Sequence, residues 1–208
     1  MAVHIRIVDS AAEPVGAEFL TIRRAVTARG RVELLTSSFE ERETCRHALA
    51  QAGCGLGVEV TTPAGWIASL WELLGTGTHL VSALQRNLLI ADILASWDPS
   101  DLEPLRDTPG TRFLLASMAR DFLPYVLDET RMARLAPASQ AEDLVVRLLR
   151  RYADRLASLG LEEPSTAAVR LARSFADELP ACASCVVVHG MQKVPAYLMD
   201  LLASVGAA

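Results

Sequence analysis

The order of hydrophobic patterns constrains this chain most: strand and helix alternate, helices then run alone, and one apolar strand returns near the end. Val3-His4-Ile5-Arg6-Ile7-Val8 alternates apolar and polar side chains and predicts a strand, closed by the turn-forming pair Asp9-Ser10. Phe19, Ile22, Arg23 and Val26 have helical spacing, and Gly30 stops that helix. Residues 31–36 predict a second strand. Ser38 is placed to cap a helix whose first turn carries Glu40 and Glu41, where carboxylates favour the helix dipole. Residues 57–61 predict a third strand, and Thr62-Pro63 opens another helix, with proline suited to the first turn. Strand–helix units in succession predict a parallel sheet covered by helices.

From Gly75 to Pro180 the texture changes. Residues 79–97, 111–128, 140–159 and 165–179 each have amphipathic helical spacing, separated by Asp98-Pro99-Ser100, Thr108-Pro109-Gly110, Ala136-Pro137 and Glu163-Pro164. No strand pattern interrupts them. The run Cys185-Val186-Val187-Val188-His189 then has the composition of a central parallel strand, and residues 195–205 predict a last helix. The expected organisation is an α/β domain, residues 1–75 with 181–208, interrupted by an all-helical insertion at 76–180. Ending at Ala208 suggests either a minimal domain or the front part of a longer architecture.

Composition narrows the partners. The 208 residues are 51% hydrophobic and 22% charged, which excludes wholesale disorder. A formal charge of −5 excludes a strongly basic nucleic-acid glove, so DNA binding would need a local face. The most apolar windows are short and interrupted by charge, and the first residues lack the pattern of a signal peptide. A cytoplasmic protein with no membrane partner is expected.

The chemistry is defined largely by what is missing. A phosphate-binding loop after the first strand needs glycines, a lysine and a hydroxyl. The segment from Asp9 to Glu18 has one glycine, Gly16, and carries Glu13 and Glu18, while the single lysine of the chain is Lys193. A working phosphate loop is excluded. The magnesium-holding acid expected after an apolar strand is also replaced, because Val188 is followed by His189-Gly190. Cys182 and Cys185 form a CxxC that is half a zinc site, and Cys45 with Cys54 completes it only if the fold gathers them. Because the CxxC precedes a strand rather than a helix, ordinary thiols are the plainer reading, and no metal is expected. Gly53-Cys54-Gly55-Leu56-Gly57 joins a helix end to a strand start, the reverse of a dinucleotide fingerprint. Asp121 with Asp128, and Glu162 with Glu163, read as solvated helix faces. So does the stripe Arg147, Arg150, Arg151 and Arg155, with a partner or DNA-backbone contact as its alternative. Trp66, Trp71 and Trp97 read as packing residues, although Trp66 sits in the helix turn after Thr61-Thr62-Pro63, where ligands bind in such folds.

The segment Val32-Glu33-Leu34-Leu35-Thr36-Ser37-Ser38-Phe39-Glu40-Glu41 is similar to the strand and hydroxyl-rich turn that follow the first helix of superfamily I DNA helicases. Val58-Glu59-Val60-Thr61-Thr62-Pro63 resembles the next helicase strand and its threonine turn. The order also resembles the amino-terminal region of the B subunit of AddAB/RexAB-type helicase–nucleases. There Leu80-Val81-Ser82-Ala83-Leu84-Gln85 would open the insertion, and Val186-Val187-Val188-His189-Gly190-Met191 would stand for the acidic-motif strand. The resemblance implies a RecA-like (P-loop NTPase-like) sheet with degenerate Walker motifs, of which Ser10 and Gly16 are the remnants of the phosphate loop. It implies that Thr36, Ser37, Ser38, Thr61 and Thr62, with Trp66 beside them, touch single-stranded DNA. It also implies partners among the other subunit or remaining domains of a helicase–nuclease. Neither ATPase nor nuclease chemistry is expected of these residues, and no cofactor. Two other classes stay open: a small nucleotide-binding enzyme using His189, Asp9 and Ser10 at the sheet's carboxyl edge, and a CxxC metal module.

Overall fold

A computed structural model describes residues 22–24, 26, 27, 31–97, 108–133, 139–174 and 185–206. The expected first strand, its turn with Asp9, Ser10 and Gly16, and Cys182 lie outside the described residues. Within them the protein is mixed α/β, mostly helical, with a small parallel sheet. It divides into two compact units, one reaching to Leu74 and resuming at Arg170, the other Gly75–Val169.

In the first unit, β1 (Val32–Thr36) leads to α1 (Phe39–Gln51), β2 (Val58–Thr61) and α2 (Pro63–Leu74); β5 (Val186–His189) and α8 (Ala196–Gly206) come last. The sheet order is β2-β1-β5, all parallel, with Leu35 opposite both Thr61 and Val188, and Thr36 opposite His189. All five residues of β1 are buried, whereas the four of β5 are half-buried. Among the described strands, β1 is therefore the central one, a place that the apolar run ending at His189 was expected to take. Burial follows from position: β1 has a neighbour on each side, so even its Glu33 is enclosed at 3% exposure. Val32, Leu34 and Val60 pack against Cys45 and Leu49, which lie one helical turn apart on α1.

The second unit opens with β3 (His79–Leu80) and continues through α3 (Ala83–Ala95), α4 (Pro109–Val126), the short α5 (Glu129–Met132) and α6 (Gln140–Ser158). It then runs through β4 (Leu161–Glu162) into α7 (Pro164–Ser174), within which the division between units falls. Here the expectation of an all-helical insertion is corrected, because β3 and β4 pair in parallel, His79 opposite Leu161 and Leu80 opposite Glu162. Two residues are too few to display alternation, so residue 79 was expected inside a helix. Ser82 decides the matter locally: its side chain and that of Gln85 cap each other's backbone groups, so α3 starts only at Ala83. At the other end Gly160, with φ +65°, turns the chain out of α6 into β4. The core of this unit is built by α3, α4 and α6 around Ile90, Leu115, Leu148 and Tyr152. No helix among the described residues is long and apolar enough to cross a membrane.

Candidate nucleic-acid interface

The carboxyl ends of β1, β2 and β5 lie at one edge of the sheet, and the hydroxyl-rich turns follow two of them directly. Parallel pairing does this by necessity, since strands running the same way finish on the same side. The Thr36 hydroxyl lies 3.2 Å from the Ser38 carbonyl and 3.3 Å from that of Thr61, so it joins the two turns. Ser38 is the α1 N-cap and accepts from the Glu41 amide at 3.2 Å. Thr62 does the same for α2, accepting from the Gly65 amide at 3.2 Å. Gly65 is needed there, because a Cβ would stand 2.6 Å from the Thr61 hydroxyl.

Exposure divides the six residues expected at this surface. Ser37 and Ser38 are exposed and Thr61 and Thr62 half-buried. Thr36 is wholly buried and Trp66 only 3% exposed, so a base could not reach its ring as it stands. The solvent-facing part of the edge is thus two serines and two threonines.

One residue at this edge was undervalued in the sequence. Glu41 accepts a hydrogen bond from the Ser37 amide at 2.8 Å and another from the Ser37 hydroxyl, both on Oε2. Its Oε1 lies 3.7 Å from Nε2 of His189. Gly190, at φ +69°, presses its bare backbone against the same carboxylate, and a Cβ there would overlap it. The sequence signal was available, since Ser38-Phe39-Glu40-Glu41 has the spacing of a capping box. Only the fold shows that the carboxylate reaches Ser37 and the end of β5. His189 is half-buried beside an acid, which locates one candidate of the nucleotide-enzyme reading; Asp9 and Ser10 lie outside the described residues.

Three of the four cysteines meet at one core. Cys45, Cys54 and Cys185 all belong to or pack on the core beneath β1. Among the described residues no three His, Cys, Asp or Glu side chains are grouped to hold a metal ion.

In the second unit the reading of Glu162 and Glu163 as solvated is overturned. They are 8% and 1% exposed. Glu163 receives two parallel bonds from Arg86, Nε at 2.6 Å and Nη2 at 2.8 Å, and a third from the Tyr152 hydroxyl at 2.7 Å. Burial alone would lower the Arg86 pKa, but the hydrogen bond and charge of Glu163 outweigh it and the net shift is upward. Burial, and then the Glu163 charge, push the Tyr152 phenol well above its usual range. With every partner satisfied and little exposure, this cluster holds the fold rather than a ligand. The arginine stripe of α6 is exposed and partly balanced, Arg147 by Asp143 at 3.1 Å and Arg155 by Asp92 at 3.7 Å. Arg147 and Arg151 lie over the Trp97 ring, 5.9 and 5.3 Å from its centroid. No protein-family model matches this chain, and no curated protein matches it.

Proposed function

We propose that the protein is a non-catalytic, helicase-like domain that works in a cytoplasmic DNA repair and recombination assembly of the helicase–nuclease kind, as a scaffold that contacts single-stranded DNA weakly. One observation carries this reading: two turns rich in hydroxyls, Ser37-Ser38 and Thr61-Thr62, close neighbouring parallel strands at one edge and start the helices that follow. Hydroxyls and backbone amides at such turns hold phosphate oxygens without needing a basic surface. The order of elements, a sheet left after β2 and rejoined at β5, supports a RecA-like parentage for the fold. The missing glycine cradle and lysine support a scaffold in place of a motor.

The test is fluorescence anisotropy of a labelled oligothymidine at low ionic strength. Binding in the range of about 10⁻⁴ to 10⁻⁶ M, weakening as salt rises, is expected of a backbone contact of this kind. Ser37→Ala together with Thr62→Val should weaken it further. Absence of any salt-sensitive binding would sink the DNA role.

A further inference from the structure

We propose that Glu41 is an autoinhibitory carboxylate, seated where a phosphate of the strand would sit, so that binding requires its displacement. The proposal rests on the single-strand reading above and adds how that edge is regulated. The groups meeting Glu41 come from two separate segments brought level by the Thr36–His189 register. The turn after β1 contributes the Ser37 amide, at 2.8 Å, and the Ser37 hydroxyl, both to Oε2. The end of β5 contributes His189, whose Nε2 is 3.7 Å from Oε1, and the side-chain-free backbone of Gly190. A carboxylate and a phosphodiester share their relevant chemistry, two oxygens dividing one negative charge, so the same donors serve either. Competition between them is direct, because Ser37 has one amide proton and one hydroxyl proton to give.

Glu40 provides the control. It stands on the same turn, exposed, with the same charge, while the Ser37 donors are bonded to Glu41. Simple repulsion of DNA by acids predicts equal gains from Glu40→Gln and Glu41→Gln. Displacement predicts that Glu41→Gln, which keeps an acceptor for the turn but loses the charge, binds oligothymidine about fivefold tighter or more. Glu40→Gln should change affinity by no more than about twofold. Equal gains, or none for Glu41→Gln, overturn the proposal. Should Glu41→Gln not fold, Glu41→Asp, which draws the carboxylate back by one methylene, is expected to shift affinity in the same direction, and an unchanged affinity overturns the proposal. If no version of the protein binds a strand, the DNA reading fails, and inorganic sulfate then judges the carboxylate separately. The Ser37 amide resonance should move in Glu41→Gln at sulfate concentrations that leave the wild type unmoved; identical titrations overturn it.

Discussion

At the residue scale the molecule turns on two buried carboxylates that differ in how well they are answered. Glu163 has three donors from Arg86 and Tyr152, so removing one partner strands a charge in the core. Arg86→Ala should lower stability by about 3–5 kcal/mol in urea denaturation, whereas replacing both Arg86 and Glu163 with leucine should recover most of the loss. Tyr152→Phe should cost only about 1 kcal/mol, since Arg86 still holds the carboxylate. Glu33, at 3% exposure, has Arg31 as its ion-pair partner at 2.9 Å, and that arginine is largely in water. Burial dominates, so the Glu33 pKa lies above its usual value despite Arg31. A carboxyl with a raised folded pKa is most favourable when protonated, so its contribution is fully present below the unfolded pKa and lost as pH rises through the folded one. Glu33→Gln should therefore flatten that acid-side decline, which thermal melts across mildly acidic pH will show; an unaltered profile would remove Glu33 from the account. Neither carboxylate was legible in the sequence. Glu162-Glu163 before a proline looks like a surface turn, and Arg86 is 77 residues away from the acid it neutralises.

The elements were easier to read than the residues between them. Ser38 was identifiable as a cap because a hydroxyl preceded two acids, and it does cap α1; the amphipathic spacing over residues 140–159 made α6 equally plain, and the structure buries Leu148, Tyr152 and Leu156 on it. Periodicity works when an element spans several turns and one face is enclosed. It fails for β3 and β4, whose extended form is set by what surrounds them: the Ser82–Gln85 capping box on one side and Gly160 on the other. Ser82→Ala should therefore do more than loosen one helix end. A loss of about 1 kcal/mol is expected from the cap itself, with faster hydrogen exchange at the Val81 amide, which donates to Glu162. Unchanged exchange there would show that the pairing holds without the cap. The carboxyl-edge turns were legible as hydroxyl-bearing helix starts. That Thr36 and Trp66 face inward was not, because a strand residue and a first-turn tryptophan reveal their direction only once the sheet is assembled.

For the whole molecule, sheet, helical excursion and returning strand were visible in the order of patterns, and β5 does come back to lie beside β1. The net charge of −5 sets the expected strength of any strand contact, which must be local and easily screened. The second unit has a core of its own, so a fragment of residues 75–169 is expected to melt cooperatively by circular dichroism. A broad, non-cooperative transition would show that it depends on the rest of the chain. The β3–β4 ladder has a kinetic meaning for such an excursion. It ties the neck of a long chain loop, His79 and Leu80 against Leu161 and Glu162. Pairing there shortens the chain that has to be closed when β5 meets β1, and so lowers part of the entropy cost of that closure.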